Sequence, residues 1–256
     1  MVTPPNRIKP ETIIWSADVE WEVLKEVIDR RLLPVGTVIK LDRLFFEKYG
    51  KEIITYCQDA GYPVFVDAKI IEIPDKVIKI AETFLTYKSF MLNVMAGACS
   101  TGLIECGNPK DIDALKRFAD ACAAVGTKSC AVTVLTSKSP EQIKSEFRRG
   151  QLKQVLTYVN LMHKAGLTDI VCSPLEAKGI RKIKKYDGLD INTPGVRMPG
   201  SSKDDQARVA TPLQALQNGA NRLVIGRDLT RGEGSPLENI GKNYRGIIMN
   251  ILPYYT

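Results

Sequence analysis

A regular alternation of short strand-like segments and longer helix-like segments runs through almost the whole chain and repeats eight times. The strand-like segments are rich in β-branched residues, and the segments between them carry apolar residues at helical spacing. The predicted strands are residues 12–15, 37–41, 63–67, 90–94, 129–135, 168–172, 188–192 and 222–225. The predicted helices are residues 19–28, 44–60, 74–84, 109–124, 140–164, 174–184, 212–217 and 236–252.

Eight strand–helix pairs without a break in composition predict an α/β protein built as a single (β/α)8 barrel of the TIM type. The length of 256 residues is ordinary for one such barrel. We expect one domain over residues 1–256, in which residues 1–10 form an N-terminal extension. A doubly wound parallel sheet is the alternative fold for the same alternation.

The composition excludes several classes of protein. Hydrophobic residues make up 44% and charged residues 25% of the chain, which is typical of globular proteins and not of disordered ones. The single histidine, His163, excludes a metal site built on two histidines. The six cysteines have no C-x-x-C pair and no zinc-ligand spacing, so we expect buried thiols in a reducing compartment.

Neither a membrane nor a nucleic acid is expected as a partner. The chain starts without an apolar signal-like stretch and has no run approaching about 18 apolar residues. We therefore expect a soluble cytoplasmic protein. The net charge of +7 is compatible with a phosphorylated small molecule as well as with polyanions. The aromatic residues are not interleaved with basic residues in a stacking pattern, which argues against nucleic-acid binding.

Ionisable residues stand at the carboxyl ends of several predicted strands. Asp18 follows the first strand, Lys40 lies at the end of the second, Asp67 and Lys69 follow the third, and Arg227 follows the eighth. Barrel enzymes place their catalytic groups at this end of the strands. Because these ends converge on one rim, the pattern favours an active site over a set of unrelated solvated charges.

The segment from Asp67 to Pro74 is the densest of these clusters. Alternation along an extended chain puts Asp67 and Lys69 on the same side, so that their charged groups can meet. A lysine between carboxylates stays charged, because the opposite charges favour its ammonium form. Such a lysine can stabilise a carbanion and then give it a proton. A structural ion pair at the barrel rim is the alternative interpretation.

A second cluster indicates a phosphate site. It comprises the loop of residues 193–210, with Arg197, Gln206 and Arg208, and the pair Gly226-Arg227 after the eighth strand. Loops after the last two strands of a barrel commonly bind phosphate, and an arginine fork matches phosphate oxygens. The alternative is a flexible surface loop, although a loop this long inside a compact domain is more often functional.

Together these segments resemble the orotidine 5′-phosphate decarboxylase family, over residues from about 13 to 229. The matching pieces follow one another in the order of the family. They are Ser16-Ala17-Asp18, Val38-Ile39-Lys40, Asp67-x-Lys69-x-x-Glu72-Ile73-Pro74, Leu92-Asn93-Val94, residues 132–137, Val171-Cys172-Ser173, the 193–208 loop and Val224-Ile225-Gly226-Arg227.

The resemblance implies a conversion of orotidine 5′-phosphate (OMP) to uridine 5′-phosphate (UMP) and CO2 that uses neither a metal nor a cofactor. It also implies a homodimer whose active sites lie at the subunit interface. The implied catalytic residues are Lys40, Asp67, Glu72 and Lys69, with Lys69 as the proton donor to C6 of the pyrimidine. The implied substrate-binding residues are Asp18 at the ribose, Thr136 at the pyrimidine, Gln206 between loop and base, and Arg197, Gly226 and Arg227 at the phosphate.

The sequence departs from the family pattern at three positions. Glu72 stands where the family has an aspartate that reaches across the dimer, Lys76 where it often has a small hydroxyl residue, and Met95 where it often has a histidine. Two other functions therefore stay open. One is a magnesium-dependent lyase for sugar phosphates, of the 3-keto-L-gulonate-6-phosphate decarboxylase or hexulose-phosphate synthase type. The other is a weakly active barrel that binds nucleotides.

Overall fold

Eight parallel strands close into one barrel, in which each strand pairs with the next along the chain and the eighth pairs with the first. The computed structural model describes residues 8–97, 109–200 and 209–255. The strands are β1 (Ile13–Ser16), β2 (Val38–Asp42), β3 (Val64–Ile70), β4 (Met91–Met95), β5 (Lys128–Val132), β6 (Asp169–Val171), β7 (Asp190–Thr193) and β8 (Arg222–Ile225). The predicted (β/α)8 barrel is confirmed, and the doubly wound alternative is wrong because this sheet has no open edge.

Helices follow the strands and pack around the outside of the barrel. They are α1 (Trp21–Asp29), α2 (Arg43–Tyr49), α3 (Ile53–Asp59), α4 (Pro74–Leu85), α5 (Pro109–Ala124), α6 (Pro140–Phe147), α7 (Gln151–Lys164), α8 (Pro174–Arg181), α9 (Pro212–Gln217), α10 (Arg227–Thr230) and α11 (Pro236–Ile251). Short 3-10 turns lie at Pro10–Thr12, Lys184–Tyr186 and Leu252–Tyr254.

Four of these helices begin with the same local signal, in which Ser or Thr is followed by Pro, any residue, and then Gln or Glu. The hydroxyl accepts a backbone N–H of the first turn, the Gln or Glu side chain accepts the N–H of the cap residue, and Pro already has a helical φ. These capping boxes are built on Ser139, Ser173, Thr211 and Ser235. They explain why α6, α8, α9 and α11 start where the sequence predicts.

Two predicted helices are each divided in the structure. Residues 44–60 form α2 and α3, because Gly50 adopts a φ of +86° and ends α2. Residues 140–164 form α6 and α7, because Arg148 adopts a left-handed conformation with a φ of 52°. The predicted strand 129–135 is also too long, since β5 ends at Val132. The short helix α10, directly after β8, was not predicted.

A small apolar cluster inside the barrel forms the floor of the site described below. Its buried members each come from a different strand: Ile14, Val38, Phe65, Met91, Cys130 and Val224. Side chains two positions further along a strand point to the interior again, one layer closer to the carboxyl end. In this upper layer the sequence places Lys40, Asp67 and Asn93, and all three are buried.

A separate ionic network closes the opposite, amino-terminal end of the barrel. The Arg222 guanidinium donates to Asp169 Oδ1 at 2.9 Å and to Asp190 Oδ2 at 2.8 Å. Asn192 Nδ2 donates to the same oxygen of Asp169 at 3.1 Å. Burial raises the pKa of Asp169, although Asn192 and Arg222 act to lower it. Charged groups at this end of a barrel serve stability rather than catalysis.

The predicted burial of the thiols is confirmed for Cys57, Cys122, Cys130 and Cys172, while Cys99 and Cys106 lie outside the described residues. In the part of the chain that the structure describes, no helix combines the length and the apolar character needed to cross a bilayer. His163 lies on α7, where its ring packs edge-on against Tyr186 with 5.5 Å between the ring centres.

Candidate active site

The carboxyl ends of the strands surround a cavity of about 270 Å³. Its lining combines charged groups with apolar groups from the barrel interior, among them Phe65, Val132 and Val224. The cavity brings together eight of the predicted site residues: Asp18, Lys40, Asp67, Lys69, Thr136, Arg197, Gly226 and Arg227.

The centre of the cavity is a carboxylate shared by two ammonium groups. Asp67 Oδ2 accepts from Lys40 Nζ at 2.6 Å and from Lys69 Nζ at 2.6 Å. The side chains of Asp67 and Lys40 are 7% and 11% exposed, whereas that of Lys69 is 42% exposed. Lys69 is therefore the cation of this cluster that faces the open part of the cavity.

The charges of this cluster shift each other's protonation. Burial alone would raise the pKa of Asp67, but the charges of Lys40 and Lys69 outweigh it and hold that pKa well below its usual range. Burial alone would lower the pKa of Lys40, but the charges of Asp67 and Asp18 raise it above its usual value. Both Asp67 and Lys40 are thus charged at neutral pH.

A backbone irregularity brings Lys69 to this position. Val66 pairs with Leu92 and Ile70 with Val94, so β3 has two more residues than β4 between these pairs. Within this bulge Lys69 adopts a φ of 43°, a left-handed conformation that is uncommon for a residue with a side chain. The predicted contact between Asp67 and Lys69 is confirmed, but simple alternation along a strand is not its cause.

Asn93 on β4 is a member of the site that the sequence analysis did not assign. It is fully buried, its Nδ2 donates to Asp67 Oδ1 at 2.6 Å, and its Oδ1 accepts the backbone N–H of Lys69 at 2.6 Å. The signal was present, because a polar residue stands between apolar residues in a strand of the predicted barrel. Its partners were not visible, since they depend on how β3 and β4 align.

Two arginines lie at the other end of the cavity, next to β7 and β8. Arg197 is 8% exposed, and its Nε lies 3.7 Å from Asp228 Oδ1. The second oxygen of Asp228 accepts the backbone N–H of Met198 at 2.7 Å, which anchors the start of the 193–210 loop. Sequence reasoning missed Asp228. Arg227 is the first residue of α10 and also lines the cavity.

Gly226 gives this end of the cavity its shape. A Cβ at this position would lie 3.4 Å from both Asp18 Oδ2 and Ser16 Cβ, at the near limit of van der Waals contact. The Ser16 hydroxyl donates to the same oxygen of Asp18 at 3.0 Å. The absent side chain therefore leaves room beside the Asp18 carboxylate.

The structure does not bring Glu72 into the cavity of its own chain. Glu72 follows β3 and is partly exposed, and its Oε2 accepts the backbone N–H of Ile73 at 3.2 Å. The neighbouring side chains of Ile71 and Ile73 are 65% and 61% exposed. Lys76 and Met95 do not line the cavity either.

Gln206 lies outside the described residues. Within residues 8–97, 109–200 and 209–255, no three His, Cys, Asp or Glu side chains come together in a way that could hold a metal ion.

Comparison with known proteins identifies the family. A family model described as "Orotidine 5'-phosphate decarboxylase / HUMPS family" matches residues 11–242. The orotidine 5′-phosphate decarboxylase of Lactobacillus johnsonii is 34% identical over 228 residues, which cover 85% of this chain and 91% of that protein. The enzyme of the same name from Syntrophomonas wolfei is 33% identical over 231 residues, covering 89% and 94%.

A solved structure agrees with these sequence matches. The crystal structure of orotidine 5′-phosphate decarboxylase from Lactobacillus acidophilus superposes with a TM-score of 0.71 at 25% identity, over 95% of this chain and 99% of that one. These relatives are carboxy-lyases by name, which confirms the predicted class of enzyme. Because the family model and the relatives extend over most of its length, the chain belongs to the orotidine 5′-phosphate decarboxylase / HUMPS family.

Proposed function

We propose that this protein decarboxylates OMP to UMP and CO2 in pyrimidine biosynthesis, without a metal or a cofactor. The observation that carries the proposal is the Lys40–Asp67–Lys69 cluster at one end of a cavity whose other end holds Arg197 and Arg227. The names of the relatives point to the same substrate. We place the reaction in the cytoplasm, which the buried thiols support.

The proposed chemistry takes place at C6 of the pyrimidine. The bond between C6 and the carboxylate breaks, CO2 leaves, and the electron pair stays on C6. The Lys69 ammonium stabilises this pair and then donates a proton to it, after which the lysine recovers a proton from solvent. An ammonium fixed beside the carbon stabilises the developing anion more than it stabilises the substrate, and this difference is what accelerates the reaction.

The rest of the cavity suits the other parts of the substrate. Arg227 and Arg197 would bind the phosphate, and Gly226 would let the backbone approach it, since all three line the cavity. Asp18 would bind the ribose hydroxyls and Thr136 would contact the pyrimidine ring. Gln206 would reach the base from the 193–210 loop. Binding energy from the remote phosphate would then be used at the reacting carbon.

We further propose a homodimer in which Glu72 completes the site of the partner subunit. Glu72 does not reach the cavity of its own chain, and the exposed Ile71 and Ile73 beside it form an apolar surface suited to a subunit interface. The dimer predicts complementation between two inactive variants. Mixed dimers of Lys69→Ala and Glu72→Ala contain one intact site each, so re-equilibrated equal mixtures should regain about a quarter of the parent's activity.

The proposal is tested by following the loss of OMP absorbance with and without a metal chelator. We expect turnover that resists the chelator and disappears in Lys69→Ala. Lys88→Ala is a matched control, because Lys88 is an exposed lysine with a similar φ of 47° outside the cavity. Chelator-sensitive activity on sugar phosphates alone would identify the magnesium-dependent alternative. Tight UMP binding without turnover would identify the nucleotide-binding barrel.

A further inference from the structure

Asn93 uses both ends of its side-chain amide on the two residues at the centre of the cavity. It lies in the middle of β4 with no exposed surface, between the apolar side chains of Leu92 and Val94. Its Oδ1 accepts the backbone N–H of Lys69 and its Nδ2 donates to Asp67 Oδ1, both at 2.6 Å. The Asn93 side chain thus links the backbone of Lys69 to the carboxylate of Asp67.

The contact with Lys69 acts on the backbone. The regular pairing of β3 with β4 is interrupted between Val66 and Ile70, so the N–H of Lys69 lies in the interrupted stretch of the ladder. The side-chain oxygen of Asn93 takes the role that a backbone carbonyl has in a regular ladder. A left-handed φ at a residue with a side chain persists only where the surroundings fix it. Asn93 can stabilise this conformation of Lys69, because Asn93 is itself buried in the middle of β4.

The contact with Asp67 acts on the carboxylate. Both ammonium groups donate to Oδ2, whereas Asn93 donates to Oδ1. A carboxylate can rotate about its bond to Cβ, and this division of donors allows only one orientation. That orientation presents a single oxygen to Lys40 and Lys69 together.

We propose that Asn93 is a positioning residue, whose amide orients the Asp67 carboxylate and the Lys69 backbone and thereby places the Lys69 ammonium at the reacting carbon. This inference rests on the proposed decarboxylation. It predicts an effect on the chemical step and not on substrate binding, because the phosphate-binding arginines lie on the opposite side of the barrel, at β7 and β8.

Three substitutions of Asn93 remove its contacts with Lys69 and Asp67 to different extents. Asn93→Leu keeps the size of the side chain and removes both hydrogen bonds. Asn93→Thr replaces the amide by one hydroxyl, which can make only part of the contacts that the amide makes. Asn93→Asp keeps the acceptor for the Lys69 N–H and, when ionised, removes the donor to Asp67 and adds a negative charge.

Asn192 offers a matched control for the loss of a buried amide. It is also fully buried, it lies on β7, and its Nδ2 donates to a buried carboxylate, that of Asp169, at 3.1 Å. It does not line the cavity. Asn192→Leu should lower the melting temperature and leave kcat within about twofold of the parent.

For Asn93→Leu we expect kcat to fall about 10- to 100-fold while KM stays within about threefold, since misplacement by about 1 Å costs rates of this size. Asn93→Thr should recover part of the loss. If both variants fold, bind UMP as the parent does and keep kcat within about twofold, the inference is wrong. If Asn93 only stabilised the fold, its substitution would lower the melting temperature but would not lower kcat at constant KM.

The pH profile of Asn93→Asp provides a second readout. The charged and titratable groups around this position are Asp67 and Lys69 on β3, Lys40 on β2 and the Cys130 thiol on β5. The ammonium groups of Lys40 and Lys69 favour ionisation of the introduced carboxyl, but they face Oδ2 of Asp67, whereas the new carboxyl would lie directly against Oδ1. Two carboxylates in direct contact share a proton, and the protonated form of the new carboxyl can donate to Asp67 as the amide does. We expect kcat of this variant to fall as pH rises, relative to the parent. A ratio of kcat values that is independent of pH would contradict the inference.

A crystal structure of Asn93→Leu tests the same inference without relying on the reaction. We expect the Asp67 carboxylate to rotate or the backbone at Lys69 to leave its left-handed conformation. If both stay in place, the inference is wrong even where OMP is the substrate. If both move and the parent does not decarboxylate OMP, the proposed function is wrong while Asn93 still positions these two residues.

Discussion

The substitution Asp67→Asn tests whether the central carboxylate stabilises the fold as well as the reaction. It keeps the shape of the side chain and removes the charge that faces Lys40 and Lys69. The Lys40 side chain is only 11% exposed, so its ammonium would stay buried without a counter-charge. Lys69 is 42% exposed and contributes less, because solvent screens it.

The expected loss of stability follows from this burial. Removing one partner of a buried ion pair costs about 3–5 kcal/mol. For domains of about 150–250 residues, 1 kcal/mol shifts Tm by about 2–4 °C, so Tm should fall by about 6–20 °C.

The pH dependence has a defined sign. In the parent, the lowered pKa of Asp67 gives stability that is present above about pH 4 and is lost as pH falls through that pKa. The raised pKa of Lys40 gives stability that is present below about pH 10 and is lost as pH rises through that pKa. Asp67→Asn removes the main negative charge beside Lys40, so burial then lowers the pKa of Lys40 in the folded protein. Between this lowered pKa and the ordinary pKa of lysine, the unfolded chain binds more protons than the folded chain, and stability rises with pH. The deficit in Tm should therefore narrow as pH rises toward 10.

Thermal unfolding followed by circular dichroism at pH 5, 7 and 9 measures this effect. Asp29→Asn is the control, because Asp29 forms a pair of the same 2.6 Å length with Lys25 on the surface, where the side chains are 47% and 50% exposed. Its Tm should stay within about 2 °C of the parent. Equal shifts for the two variants, or a deficit in Asp67→Asn that does not depend on pH, would refute the reasoning.

Three further predictions concern other parts of the molecule. Gly226→Ala should weaken UMP binding with the fold intact, as measured by titration calorimetry, because the new Cβ would fill the space beside Asp18 Oδ2, at 3.4 Å from it; unchanged affinity would show that the ligand does not need this space. The buried thiols should resist iodoacetamide at pH 8, since burial raises the pKa of Cys57 and Cys122 to about 12 and that of Cys130 well above its usual value; mass spectrometry of the native protein shows whether they are alkylated. Arg222→Met should lower Tm and leave KM and kcat close to those of the parent, because Arg222 pairs with Asp169 and Asp190 at the end of the barrel away from the cavity; a change in KM would refute this separation of the two ends.

The fold was predictable because its signals are local. The sequences beginning at Ser139, Ser173, Thr211 and Ser235 each carry a capping box, so their helices start where the sequence predicts. The divisions at Gly50 and Arg148 were not predictable from apolar spacing, because both flanking helices keep the same spacing while the backbone between them changes conformation. Apolar periodicity indicates which side chains are buried, but it does not reveal where one residue adopts a positive φ and interrupts the helix.

The site was predictable to the extent that strand ends converge in a barrel. Asp67 and Lys69 were expected to meet, and they do. The bulge that moves Lys69 and the contacts of Asn93 were not predictable, because both depend on the register between β3 and β4. The role of Glu72 was predicted from the family resemblance alone, because the proposed contact requires a second subunit and no pattern within one chain indicates it.

The distribution of charge in the cavity suits a reaction in which a charge moves without being created. Lys40 and Lys69 face the single carboxylate of Asp67, and the proposed dimer adds Glu72 of the partner subunit, so two positive and two negative groups would surround the reacting carbon. A substrate carboxylate would add one negative charge, and the electron pair left on C6 after CO2 departs would carry the same charge. That pair lies one bond closer to the ring than the carboxylate charge it replaces. Lys69 would interact with it more strongly, provided that Asp67 and Asn93 keep the ammonium from following the leaving group. The fixed position of the ammonium is therefore as important for the proposed rate as its charge.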